Sequence, residues 1–290
     1  MAITAADVKK LREQTGVGMM DCKKALTQAD GDFEAAIAIL REKGIAVAAK
    51  RVDRTAAEGV LVIRKNGDAI SMAELNCETS FVAANEDFVK LAEDIADKAC
   101  GFEGDLDALK EQKLASGRTI AESITDTMAR IGEKIDCPRF ATMKAGEKDA
   151  LDGYVHFDKL KGVIVKLSCG SAEAAADPDT AALAKDIAMH AAWTAPKYLD
   201  VKDVPAEEVE KEREIQINRA KEEGKPEEIA RKMVEGRLRK EFFANICLTQ
   251  QAFIKDEKMT IAQLISGYAK EKGYDVSLAA FVRFRVGEQN

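Results

Sequence analysis

The chain has 290 residues, 46% of them hydrophobic, with 44 Lys+Arg against 51 Asp+Glu and a net charge of −7. That supplies a core for roughly two domains, and it is too acidic for a general nucleic-acid binder, whose surface must be cationic to hold phosphate. No apolar run approaches the ~18 residues of a bilayer span, and MAITAADVKK lacks the apolar stretch of a secretory signal, so a cytoplasmic protein is expected.

Residues 1–44 carry three apolar stripes at helical spacing. Thr4-Ala5-Ala6-Asp7 has the pattern of a capping box ahead of Val8 and Leu11. Thr15-Gly16-Val17-Gly18 breaks that helix, and Met19, Cys22 and Leu26 mark a second. Asp30-Gly31 breaks again, and Phe33, Ala36, Ile37 and Leu40 mark a third, expected to end at Gly44. So small a bundle buries little surface and needs a firm attachment or a partner. Residues 1–54 hold 10 Lys+Arg against 8 Asp+Glu, a net +2. IAVAAKRVDR at 45–54 reads as a basic helical linker.

A first core unit is expected at 55–145. Val60–Ile63 and Ala69–Leu75 read as strands joined at Asn66-Gly67, a hairpin signal. A loop at 77–84 follows, and then Phe88, Leu91, Ala92, Ile95 and Ala99 mark one face of a helix. Residues 101–117 form a connection, and Ile120, Ile124, Met128 and Ile131 a further helical stripe.

Residues 151–193, within a second unit expected at 146–290, repeat this plan. Asp152-Gly153 is read as opening a strand as Glu58-Gly59 does. Leu167-Ser168-Cys169 echoes Leu75-Asn76-Cys77, and Leu183–Ala188 echoes Leu91–Ala96, both at an offset of 92 residues. An internal duplication of a hairpin-plus-helix unit is the simplest account. Between about 205 and 243 the chain is densely charged, with Gly224-Lys225-Pro226 dividing two helical halves. That predicts an antiparallel helical hairpin standing off the body, or else a solvated helix pair packed on it. Thr260 caps a last helix through Leu264 and Ile265, and Ala279–Val286 alternates as a strand. The expected fold is therefore α+β: a three-helix head at 1–54, a duplicated antiparallel-sheet-plus-helix core at 55–145 and 146–290, and a hairpin inserted in the second unit.

Residue chemistry points away from catalysis. His156 and His190 are the only histidines, and no HExxH or GxSxG surrounds them. The six cysteines lie at 22, 77, 100, 137, 169 and 247, with no CxxC, which fits free thiols and no zinc knuckle. No phosphate-binding glycine loop occurs, so no nucleotide, metal or other cofactor of its own is expected. A binding or regulatory protein is the leading class. An enzyme using His190 or Cys77 is the weaker alternative, since His190 shares a helical stripe with Ile187 and Ala191, and Cys77 has no visible activating neighbour.

Two apolar segments stand where surface is expected. In Asn76-Cys77-Glu78-Thr79-Ser80-Phe81-Val82-Ala83-Ala84-Asn85, between strand and helix, Phe81 either folds back into the core or projects as a wedge for a partner. Met19-Met20 after Gly18 pose the same choice.

Thr15-Gly16-Val17-Gly18-Met19-Met20-Asp21-Cys22-Lys23-Lys24-Ala25-Leu26 resembles the N-terminal signature of the bacterial elongation factor Ts family. Asn76–Ala83 is similar to that family's second signature, NCxTDFVA. Lys225-Pro226, Ile229-Ala230 and Lys232–Arg237 look like its third, and Ile187–Ala192 also fits. The resemblance runs from residue 1 to about 287. It implies an exchange factor that makes and breaks no covalent bond and promotes replacement of GDP by GTP on the GTPase elongation factor Tu, contacting it through head and core, with GDP and GTP met only through that partner. The head would resemble a ubiquitin-associated bundle, and the charged hairpin the family's coiled-coil protrusion. Carried over by position, the stretch associated with displacing the partner's Mg²⁺ is Thr79, Ser80, Phe81 and Val82. Contacts from the N-terminal signature would be Val17, Gly18, Met19 and Met20. Ser80 departs from the family's Asp, and a C-terminal helical module of some members is expected to be missing. An adaptor that binds through its head without driving exchange is the other binding-class reading.

Overall fold

The computed structural model describes residues 3–15, 17–49, 51, 54–223 and 233–288. It is a mixed α+β structure. Its head consists of α1 (Ala5–Thr15), α2 (Met19–Gln28) and α3 (Phe33–Ala49). Thr4 and Asp7 cap α1 reciprocally: Asp7 Oδ2 accepts from Thr4 N at 3.0 Å, and Thr4 Oγ1 accepts from Asp7 N at 3.2 Å. Val8, Leu11, Cys22, Ala25, Leu26, Ala36 and Leu40 form the head's own core. Gly44 is not a stop, contrary to expectation. The helix runs through it, and the glycine admits a neighbouring helix, since a Cβ there would come within 3.2 Å of the Ala129 Cβ. The ~1 kcal/mol helical penalty of glycine is offset by that close packing.

Two three-stranded antiparallel sheets form the body. The first has the order β1 (Glu58–Asn66), β2 (Ala69–Cys77), β3 (Asp136–Lys144). The second has the order β4 (Asp149–Val155), β5 (Lys161–Cys169), β8 (Val276–Arg285). They pack face to face through Leu61, Ile70, Met72, Leu151, Ile164 and Phe284. The alternate residues, Val60, Val62, Ala73 and Leu75 on one sheet and Val163, Val165 and Leu167 on the other, turn outward under helices. The result is a helix–sheet–sheet–helix stack.

α4 (Ser80–Ala83), α5 (Glu86–Ala99), α6 (Leu106–Lys110) and α7 (Ile120–Ile131) follow the first hairpin. α8 (Ala172–Ala176) and α9 (Pro178–Thr194) follow the second. All five residues of the predicted α5 stripe are buried, as are Ile120, Ile124 and Met128 of α7. The β1–β2 turn is Gly67-Asp68, with Asn66 still in the strand, one residue later than an Asn-Gly type I′ turn would have it. Gly67 alone takes positive φ, +58°, at the first turn position, where a II′ turn requires glycine.

Several elements around the two sheets correspond in order. Helix caps correspond at an offset of 92: Thr79 with Ser171, and Asn85 with Asp177. Farther on the offset is 141. Thr119 and Thr260 cap α7 and a later helix, α11 (Ile261–Lys272), each with a capping box, and Gly132 and Gly273 end them in the left-handed conformation. The bulges also coincide, after Glu74↔Arg139 in one sheet and Lys166↔Ala280 in the other. The Asp152-Gly153 echo is corrected by register. These residues lie inside β4, and Asp149, opposite Ser168, is what corresponds to Gly59, opposite Asn76. The chain between the units' paired elements also carries two further short strands, β6 (Ala252–Phe253) and β7 (Asp256–Thr260).

The offset grows by 49 residues, from 92 to 141, across the charged segment. There α10 (Ala206–Glu222) lies against a second arm, residues 233–246, part of which (Leu238–Phe243) is π-helical. Arg213–Glu235 at 2.9 Å and Arg237–Glu223 at 2.7 Å join the arms. Among the described residues, burial is confined to the seam, at Gln216, Ala220, Val234 and Leu238. Gly224-Lys225-Pro226, and the third-signature residues up to Lys232, lie outside the described residues. At the root, Lys197 and Tyr198 N–H groups donate to Ile246 O at 2.9 and 3.0 Å, and Leu248 N donates to Tyr198 O at 2.9 Å. No helix among the described residues is long and apolar enough to cross a membrane.

Candidate functional site

β2 ends at Cys77, and the chain must turn from sheet to helix within eight residues. It does so in two capped steps. Thr79 Oγ1 accepts from Val82 N at 3.5 Å and starts the single turn of α4. Asn85 Oδ1 accepts from Asp87 N and Phe88 N at 3.0 and 3.3 Å and starts α5. One turn has an inner and an outer side. Val82 and Ala83 pack against the first core, while Ser80 and Phe81 face outward. Phe81 is 88% exposed. Of its two alternatives, folding back or projecting, the second is what the structure holds.

The base of this loop is gripped from the segment after α7. Glu133 Oε2 accepts from Glu78 N at 3.1 Å and Thr79 N at 3.0 Å, and Glu133 Oε1 accepts from Thr79 Oγ1 at 2.7 Å. Glu78 answers: its Oε1 accepts from Lys134 N at 2.6 Å and from Arg54 Nη1 at 3.2 Å. The Lys134 backbone bond, with Arg54 assisting against desolvation, holds the Glu78 carboxyl below its ordinary 4.5. Cys77 Sγ donates to Thr79 O at 3.2 Å, and burial beside Glu133 pushes its thiol up to about 12. A thiol so placed is protonated at neutral pH and is no nucleophile.

The N-terminal candidates sit on the head, apart from this loop. Val17 packs on the head's core and its carbonyl accepts from Cys22 Sγ at 3.4 Å. Gly18 precedes α2, and its carbonyl accepts from Asp21 N and Cys22 N, both at 3.0 Å. Met19 and Met20 are 42% and 65% exposed. Gly16 lies outside the described residues. Arg41–Glu122 at 2.7 Å and Arg51 Nη1 to Met128 O at 3.2 Å tie the head's last helix and linker to α7, the helix that leads into Glu133.

His190 is buried and structural. Its Nδ1 accepts from Ile254 N at 3.3 Å, which leaves Nε2–H to donate to Gln251 Oε1 at 3.1 Å. Burial lowers its imidazole below the ordinary 6.5 and Gln251 only partly opposes this.

Two features escaped the sequence reading. One is the Glu133–Lys134 grip, because nothing marks a carboxylate 54 residues downstream as a partner of Thr79. The other is an exposed apolar patch on the second unit, where Phe157 is 87%, Trp193 71% and Ile254 37% exposed. Trp193 and Ile254 rim a depression of about 350 Å³ that Tyr154, His156, Lys161 and Met189 help line, and the Phe157 ring lies 4.4 Å from that of His156. Lys161 Nζ lies 5.6 Å from the Trp193 ring centroid. A lone tryptophan at a helix end was the available signal.

A family model described as "Elongation factor TS" matches residues 78–288, a stretch that begins at the loop just described, after β1 and β2, and runs on through β8. Elongation factor Ts of Idiomarina loihiensis is 46% identical over 289 residues, spanning 99% of this chain and 92% of the relative. With that match running through the head as well as the core, the chain belongs to the elongation factor Ts family.

Proposed function

We propose that this protein is the guanine nucleotide exchange factor of elongation factor Tu, binding the GDP-loaded GTPase and promoting release of GDP and its replacement by GTP during translation elongation in the cytoplasm. The observation that carries the reading is Phe81, 88% exposed on a gripped loop whose residues resemble the family's second signature. A large exposed aromatic on a rigid base has a partner to enter, since such surface is unfavourable in water. Thr79, Ser80, Phe81 and Val82 form the element that disturbs the partner's Mg²⁺ and phosphate contacts. Within it Phe81 is the wedge, Thr79 the cap and Val82 the anchor, and Ser80 brings no carboxylate. Val17, Gly18, Met19 and Met20 place the head's apolar contact, and the Phe157–Trp193–Ile254 patch suits a second contact on the core.

The organisation supports this reading. It comprises a ubiquitin-associated-like head at 1–54, and a duplicated unit, 55–145 and 146–290, in which the first copy carries the wedge. The charged hairpin is an insertion in the second copy. Exchange needs no nucleophile. It needs the factor to favour the nucleotide-free partner, and that coupling is reciprocal. Accelerating release ten-thousandfold takes on the order of 5.5 kcal/mol of differential stabilisation. An inserted aromatic together with lost Mg²⁺–phosphate contacts is of the right size.

Titration calorimetry against elongation factor Tu, nucleotide-free and GDP-loaded, tests the reading. The expected result is tighter binding to the empty form. Equal affinity for the two forms would leave an adaptor, not an exchange factor.

A further inference from the structure

Among the described contacts, the Glu133 carboxylate has a role that the fold alone does not demand. It collects three hydrogen bonds from two consecutive residues of the wedge loop, from Glu78 N, Thr79 N and Thr79 Oγ1. Those bonds fix the first peptide of the loop, and they also orient the Thr79 hydroxyl. With its proton committed to Glu133 Oε1 at 2.7 Å, a lone pair is left for Val82 N. The direction in which α4 starts, and with it the direction of Phe81, follows from that hydroxyl.

The second unit is an internal control. Its corresponding loop begins Cys169-Gly170-Ser171, and Ser171 Oγ caps Ala174 N at 3.1 Å just as Thr79 caps Val82. Position 274, which corresponds to Glu133 at the offset of 141, is Tyr. There the loop is tied by the Asp275 backbone carbonyl, which accepts from Gly170 N at 2.7 Å. The residue matching Phe81 is Glu173, which has no apolar side chain to aim. The fold thus builds this strand–turn–helix twice, and places the three-bond carboxylate grip in the copy that carries the exposed aromatic.

We infer that Glu133 is the positioning residue of the wedge: it acts on nucleotide release through Thr79 and Phe81, without touching the partner's nucleotide. This rests on the reading of Phe81 as the element that enters elongation factor Tu. A wedge that must enter a site loses effect when its direction wanders, because errors on the order of 1 Å at a positioned group can lower rates by about a hundredfold.

The test uses the full chain and elongation factor Tu loaded with fluorescent GDP. Glu133→Gln keeps the size but replaces one acceptor oxygen by an NH₂ that faces N–H or O–H donors. Its maximal stimulated release rate should fall about tenfold, with the half-saturating concentration nearly unchanged, and the Glu78 and Thr79 amides should exchange hydrogen faster. In a Phe81→Ala background the same change should lower the rate no further. The inference is overturned if Glu133→Gln releases GDP like wild type while Phe81→Ala is impaired, or if the two losses multiply, or if Glu133→Gln fails to fold and so shows a structural role only. If Phe81→Ala itself is silent, the wedge reading falls first and this inference with it.

Discussion

Replacing Phe81 by alanine separates a wedge from a core residue. Full burial of a phenylalanine stabilises a fold by roughly 1.5–3 kcal/mol, and with 88% of Phe81 exposed only about a tenth of that is at stake in folding. The melting temperature should therefore move by about 1 °C or less, given a few degrees per kcal/mol for a chain of this size. At an interface the same ring is fully desolvated, where losing an aromatic anchor removes about 2 kcal/mol or more. That corresponds to about a thirtyfold drop in stimulated GDP release. Val82→Ala is the matching control. Val82 packs on the first core, so it should lower stability by about 0.8 kcal/mol per lost methylene-sized group. Stopped-flow release of labelled GDP, run beside thermal melts, reads both. If Phe81→Ala exchanges like wild type, the wedge is refuted. If it melts as far down as Val82→Ala, the ring is held by packing that the observed exposure denies.

Ser80→Asp places a carboxylate at the first position of α4, where the helix end favours negative charge by about 0.3–1 kcal/mol. Melting should be unchanged or slightly higher and exchange equal or mildly faster, and a strong loss of exchange would refute this. Deleting residues 1–49, which keeps Arg54 on Glu78, should leave a cooperatively melting core with weaker binding of elongation factor Tu, because the head owns its hydrophobic cluster. A truncated chain that binds and exchanges at the full rate would show that Met19 and Met20 are not contacts. Replacing 206–238 by a short Gly/Ser link should keep the body folded, since burial among the described residues there is confined to the seam between the arms. Global unfolding would show otherwise. His190 is neutral and its folded-state pKa lies below the ordinary 6.5. Between those two values the unfolded chain binds a proton that the native chain refuses, so stability present above pH 6.5 declines as pH falls through that window. The melting temperature of His190→Gln should accordingly depend less on pH between 7 and 5 than that of wild type.

Much of this was legible because burial and capping are local. The Thr4–Asp7 box, the stripe Phe88–Leu91–Ala92–Ile95–Ala99 and the Thr260 cap sit where the sequence puts them. β3 was not legible. Pro138 interrupts it, and the strand tolerates the proline because it is an edge strand with a bulge there, Cys137 and Pro138 together facing Leu75. Gly44 misled because its reason lies in Ala129, 85 residues away. Asp152-Gly153 misled because matching dipeptides do not fix register. At the candidate site, the residues of the loop could be named from sequence, but the exposure of Phe81 could not. That depends on Val82 and Ala83 taking the inner side of a single turn, and on a grip from Glu133 that only the folded chain assembles.

The central claim is that this chain drives nucleotide off its partner, and release of labelled GDP from elongation factor Tu of the same organism tests it most directly. The release rate should rise with the concentration of this protein and then saturate, and excess GDP should in turn dissociate the complex, as reciprocal coupling requires. A release rate independent of the protein, under conditions where the two demonstrably bind, would contradict it.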